Sequence, residues 1–108
     1  MANMINILFW LLAGHFIGDF PFQTEWMFLN KGKSWEADFY HSAAYAFTIL
    51  VIAKIGGLVI SPIIILVILF SHFIIEPFKE RWRIIPYIWL DQILHIFVLI
   101  IISIIIAL

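Results

Sequence analysis

Long apolar runs, broken by short polar clusters, make up most of this chain. Four runs, about 3–20, 39–57, 59–77 and 88–107, approach the roughly 20 residues that a helix needs to cross a bilayer. The last two are the clearest, as in "SPIIILVILF" and "ILHIFVLIIISIIIAL". Gly56 and Gly57 separate the second run from the third, Pro21 and Pro77 close the first and third, and Pro86 precedes the fourth. The pattern predicts an all-α protein: a polytopic membrane four-helix bundle in a single domain, residues 1–108, without low-complexity segments or soluble linkers.

Composition agrees. Hydrophobic residues make up 65% of the chain and charged ones 12%, with a mean hydropathy of +1.11, whereas a soluble domain is about 45–50% apolar. A net charge of -1 with no basic tail argues against nucleic-acid binding. Cysteine is absent, which removes disulfides, thiolate nucleophiles and cysteine-type zinc sites. The start, "MANMINILFWLLAG", lacks a basic n-region and a small-residue cleavage site, so it reads as a retained first crossing.

Charge then orients the crossings. The longer connections, residues 21–38 and 78–87, carry Lys31, Lys33, Lys79, Arg81 and Arg83, whereas the other side has only Lys54. The positive-inside rule places both connections in the cytoplasm and both termini outside. Trp26, Trp35, Trp82 and Trp89 form the expected interfacial belt. Residues 21–30, with Phe22, Trp26, Phe28 and Leu29, are expected to lie along the interface.

The chemistry sits at that same edge. His15, His41, His72 and His95 each fall on a different crossing, toward its cytoplasmic end. Three have an acid at helical spacing: His15 with Asp19, His72 with Glu76, and Asp91 with His95. Residues four apart share a helix face and can present an imidazole nitrogen and a carboxylate oxygen to one ion. His41 opens the second crossing and has Tyr45 at that spacing instead. One histidine near a helix end is more often an interfacial hydrogen-bonding residue, and one such pair can be a local hydrogen bond. Three pairs at one depth point instead to a shared polar site, since intramembrane ionisable groups face the bundle interior and mark function. The candidate metal ligands are therefore His15, Asp19, His41, His72, Glu76, Asp91 and His95, holding one or two divalent ions. Gln23, Gln92 and Tyr45 are expected around them; Ser42 and Ser71 adjoin histidines but make poor nucleophile candidates.

The polar stretches also echo one another. Aligning His15 with His72 matches His-Phe-Ile and then an acid, and Pro21-Phe22 matches Pro77-Phe78 with one residue of slip. Residues 1–57 and 58–108 thus read as two copies of one helical hairpin in parallel orientation, an arrangement that transporter halves use.

Together, "HFIGDFPFQTEW" (His15 to Trp26), Lys31, His41, "SHFIIEPFK" (Ser71 to Lys79) and "DQILH" (Asp91 to His95) resemble the pattern of a family of small bacterial and phage membrane proteins classified only as a domain of unknown function. That pattern runs His-x-x-x-Asp-Phe-x-x-Gln, a lysine, a histidine, His-x-x-x-Asp and Asp-Gln-x-x-His. Glu76 departs from it, standing where an aspartate is usual, which keeps a carboxylate but lengthens its reach. The layout is also similar to small membrane-bound metal-dependent hydrolases, a likeness of architecture alone.

Three functions compete. A membrane metallohydrolase would use zinc, manganese or iron to polarise a phosphoryl oxygen and activate a water. Its substrate would be a membrane lipid phosphate or ester, with Lys31, Lys79, Arg81 and Arg83 at the headgroup and Asp91 or Glu76 as catalytic base. A small metal-ion or proton transporter, as a homo-oligomer, would use the same ligands transiently, but segments 4–13, 46–53, 62–70 and 96–106 hold few polar groups to line a path. A non-catalytic accessory subunit would use the polar cluster to pin helix packing. Haem ligation fits poorly with acids beside the histidines, and no His-x-x-His-His cluster of a desaturase is present.

Overall fold

The computed structural model describes residues 3–21, 23–30, 32–85 and 87–108. These form five α-helices and, among the described residues, no β-strand: α1 (Met4–Asp19), α2 (Glu25–Asn30), α3 (Trp35–Ile55), α4 (Pro62–Glu80) and α5 (Ile88–Ala107). Phe22, Lys31 and Pro86, to which the sequence assigns an interfacial contact, a headgroup contact and a helix boundary, lie outside the described residues.

Polar side chains set where three of the long helices begin. Asn3 Oδ1 accepts from the Asn6 amide at 2.8 Å, Ser34 Oγ from Ala37 at 3.2 Å and Ser61 Oγ from Ile64 at 3.4 Å. Each satisfies an amide that has no partner inside the helix. Two expected boundaries move as a result. α3 starts at Trp35, not near residue 39, because Ser34 caps it and Glu36 and Asp38 in the first turn suit the positive end of the helix dipole. His41 therefore lies in the second turn of α3 and does not open it. α4 starts at Pro62, not at residue 59, because Ser61 caps it and proline is pre-set for the first helical position.

Pro77 does not end α4, contrary to expectation; it sits inside a helix that continues to Glu80. A proline inside a helix lacks its amide donor and crowds the carbonyl four residues back, at about 3 kcal/mol or more, yet α4 runs on for three residues. The Pro77 carbonyl still accepts from Arg81 at 3.0 Å and from Trp82 at 2.8 Å, which closes the last turn. The break after α3 does fall at the glycines: Gly56 caps the helix, and Gly57 takes φ +83°, a conformation open to glycine at little cost.

α1 packs on α3 and α5, and α4 packs on the same two, so that α1 and α4 occupy opposite corners of a square and α3 and α5 the other two. Two copies of a hairpin would produce that arrangement. The core of the half away from the polar end is apolar: Ile7, Leu11, Ile49, Ala53, Ile68, Leu99 and Ile102. α1 approaches α3 through Gly14 and Gly18. A Cβ on Gly14 would come 2.8 Å from Ile49 Cα, and one on Gly18 would come 3.2 Å from Thr48 Cβ. Small residues four apart let helix backbones come this close.

α4 and α5 are each long and apolar enough to cross a membrane, and only 22% and 28% of their most apolar windows are buried. The core helix of a soluble protein would be mostly buried; these turn Ile63, Leu66, Phe70, Ile74, Phe97 and Ile105 outward. α1 is apolar but shorter, at 16 residues. α2 lies beside α3 and buries none of its side chains, leaving Trp26, Phe28 and Leu29 exposed. Beyond α4, Trp82 packs on Trp35 at 6.2 Å, and the Arg81 guanidinium lies 4.2 Å from the centre of a Trp35 ring.

Candidate metal centre

The antiparallel bundle gathers the polar residues at one end. His15 and Asp19 lie in the last turns of α1, His72 and Glu76 near the end of α4, His41 near the start of α3, and Asp91 and His95 at the start of α5. All seven are at most 6% exposed, although they sit among the most costly side chains to bury.

Contacts run between helices more than along them. Asp19 Oδ1 lies 3.2 Å from His41 Nε2 and 3.2 Å from His72 Nε2. Glu76 Oε2 lies 3.8 Å from His72 Nε2 and 3.8 Å from His95 Nε2, and its Oε1 lies 4.0 Å from His41 Nε2. The rings of His72 and His95 stack at 4.5 Å. Two groups of three result, Asp19–His41–His72 and His72–Glu76–His95, each with its ligand atoms within 4.8 Å of one another and able to hold a metal ion. Five of the seven expected ligands fall in these groups, and His72 belongs to both.

The other two are held differently. His15 is not joined to Asp19 directly: its Nδ1 lies 2.7 Å from the Tyr45 hydroxyl and its Nε2 2.7 Å from Gln92 Oε1. Asp91 Oδ1 lies 3.3 Å from His95 Nε2, and its Oδ2 lies 3.4 Å from Lys79 Nζ.

Whether an ion suits the centre is tested by its unsatisfied atoms. His95 Nε2 and Asp91 Oδ1 are buried and make no hydrogen bond, and they face one another at 3.3 Å. Buried charged and polar groups whose hydrogen bonding is incomplete are costly, and a cation among imidazoles and carboxylates would offset part of that. The donors are imidazole nitrogens and carboxylate oxygens only, a set that fits a divalent transition metal. Ser42 Oγ lies 3.2 Å from His72 Nδ1, which leaves Nε2 turned toward the carboxylates. A partner on the far ring nitrogen is how metal-binding histidines are usually oriented. Tyr45 covers the other side of His72, ring to ring at 4.1 Å.

Beside Asp19 a cavity of about 350 Å³ opens, lined by Asp19, Phe20, Gln23, Phe28, Lys79, Glu80 and Ile88. Gln23 Oε1 is buried there without a hydrogen bond. Lys79 also makes a 3.0 Å ion pair with Glu80, and with Glu80, Arg83 and Ile85 it lines a second cavity of about 340 Å³. Arg81 faces Trp35, away from both. Sequence reasoning passed over Asp38, 1% exposed, and over Ser42, fully buried, as a partner for His72. The available signal was spacing: Asp38 lies three residues before His41 and four before Ser42, and each pair shares a side of α3.

Residues 7–108 match the family described as "Protein of unknown function (DUF3307)". Neither a curated protein nor a solved structure matches the chain.

Proposed function

We propose, for a chain that belongs to the DUF3307 family of proteins of unknown function, that it is a multi-pass membrane protein whose buried histidine–carboxylate centre binds a divalent metal and hydrolyses a lipid phosphate or ester. The observation that carries this reading is the pair of buried ligand groups meeting at His72, inside a bundle whose outer surface is apolar.

Several features support the membrane setting. The molecule measures 43 × 22 × 22 Å, and a bilayer with its headgroups is about 40–45 Å thick. In this reading α1, α3, α4 and α5 all cross. The α1 helix spans about 24 Å at 1.5 Å per residue, and the shortfall is met by local thinning of the bilayer. The basic connections face the cytoplasm, both termini lie outside, and α2 rests at the interface with its aromatic side chains in the headgroups. The centre then sits just beneath the cytoplasmic headgroups of a bacterial inner membrane.

Zinc, manganese or iron suits three imidazoles with two carboxylates. The bound ion would act as a Lewis acid on a phosphoryl or carbonyl oxygen and make water a better nucleophile. Around it, Asp19, Gln23 and Lys79 line the cavity through which a headgroup reaches the centre, while Phe20, Phe28 and Ile88 form the apolar wall beside the acyl chain. Asp91 lies outside both ligand groups and is the carboxylate free to accept a proton, with Lys79 holding it in place.

Hydrolysis is favoured over conduction by the opposite half of the bundle. The buried hydroxyls there are turned onto their own helices: Thr48 donates to the Ala44 carbonyl at 2.7 Å and Ser103 to the Leu99 carbonyl at 2.8 Å. No polar path leads on through the apolar core of the described residues.

Elemental analysis of detergent-purified protein, followed by a hydrolysis screen on lipid phosphates and esters, tests this reading. Wild type should carry near-stoichiometric zinc, manganese or iron, and His72→Ala should carry almost none and turn over nothing. A metal-free wild type that remains so after loading would refute it.

A further inference from the structure

We infer that His15 is a positioning residue and not a ligand: with Tyr45 and Gln92 it forms a one-directional hydrogen-bond chain that holds Asp19 for the metal. The ligand part of this inference rests on the metal reading above; the direction of the chain does not.

The direction follows from what each group can donate. Asp19 is a carboxylate that accepts only, so the Gln92 atom 2.9 Å from its Oδ2 is the amide nitrogen. Gln92 therefore turns its carbonyl oxygen to His15 Nε2, 2.7 Å away. That oxygen accepts only, so His15 Nε2 carries the proton. A neutral imidazole protonated there has its lone pair on Nδ1, and the Tyr45 hydroxyl 2.7 Å away donates to it. The path runs from Tyr45 through His15 and Gln92 to Asp19, joining α3, α1 and α5.

Two consequences follow. Both ring nitrogens of His15 are occupied, and no lone pair is left for an ion. To turn toward the centre, His15 would have to leave the buried Tyr45 hydroxyl and the part-buried Gln92 carbonyl oxygen without their partners. At the far end, Gln92 engages Oδ2 of Asp19 and leaves Oδ1 facing His41 and His72. The carboxylate is presented through one oxygen in a fixed orientation, as groups around a metal centre do for its ligands.

Cobalt(II) loaded into the full-length protein in detergent serves as the probe. X-ray absorption counts the coordinated imidazoles, and competition with a chelator gives the affinity. His41→Ala should remove one imidazole from cobalt. His15→Ala and Gln92→Ala should leave the count unchanged while weakening Co²⁺ binding about 10–100-fold, the usual effect of losing such a supporting group. His15→Gln, whose amide can accept from Tyr45 and donate to Gln92, should recover part of that affinity. In metal-free wild type, ¹⁵N shifts of the His15 ring should report the proton on Nε2. Loss of one imidazole from cobalt in His15→Ala would overturn the inference, as would the proton on Nδ1 in the metal-free protein. A wild type that takes up no Co²⁺ would overturn the metal reading itself, while the ring proton still decides the chain.

Discussion

His72 Nε2 has a single lone pair, and that bears on how many ions the centre holds. Its Nδ1 faces Ser42, and its Nε2 faces Asp19 on one side and Glu76 on the other. Both ligand groups include His72, and its Nε2 is the nitrogen that faces the carboxylates of both and can bind one metal ion at a time. In the proposed metal reading the two groups are then two sides of one site. Titration of the metal-free protein with Co²⁺ should saturate at one ion per chain; saturation at two would contradict this. At this scale the sequence was readable in part. Spacing of four placed three of the histidines and their acids on one helix face, and burial of all seven agrees with a shared polar interior. The pairing itself was not readable. Side chains on a helix tilt toward its N-terminus; Asp19 reaches His41 on neighbouring α3 and His72 across the bundle on α4, and His15, one turn earlier, meets Tyr45 and Gln92.

At the scale of the element, α1 is held to α3 by the absence of side chains at Gly14 and Gly18. That close approach sets where His15 and Asp19 stand. A Gly14→Val substitution would push two backbones apart, and forcing extra carbon atoms into a packed interior typically costs about 1–3 kcal/mol. We expect a lower melting temperature in detergent and weaker Co²⁺ binding, although residue 14 touches no ligand group. An unchanged affinity would show that the α1–α3 spacing does not govern the site. Number and order of the long helices could be read from apolar runs and breakers, whereas their ends could not. Capping is decided by one side chain and one amide, as at Ser34 and Ser61, and a run of hydrophobic residues carries no trace of it. Pro77 marks the same limit: the proline reads as a stop, but the helix continues past it to Glu80.

For the whole molecule, the proposed membrane setting is tested by which end faces which side. The chain contains no cysteine, so single cysteines report without a background. If the basic connections are cytoplasmic, Lys33→Cys and Arg83→Cys should resist a membrane-impermeant maleimide in intact cells, and Gly57→Cys should react; the reverse pattern would invert the orientation. The sequence by itself determined that the chain is helical, that much of its surface is apolar, and which polar side chains it must shelter. Those properties are sums over residues or repeat with a local period, and each can be read without knowing what lies opposite. Tertiary structure alone decided that α1 and α4 stand on opposite corners, that five of the seven expected ligands gather around His72 while His15 turns away, and that a cavity opens beside Asp19. These depend on distances between helices far apart in the chain, set by packing at glycines and by hydrogen bonds whose two partners no local pattern brings together.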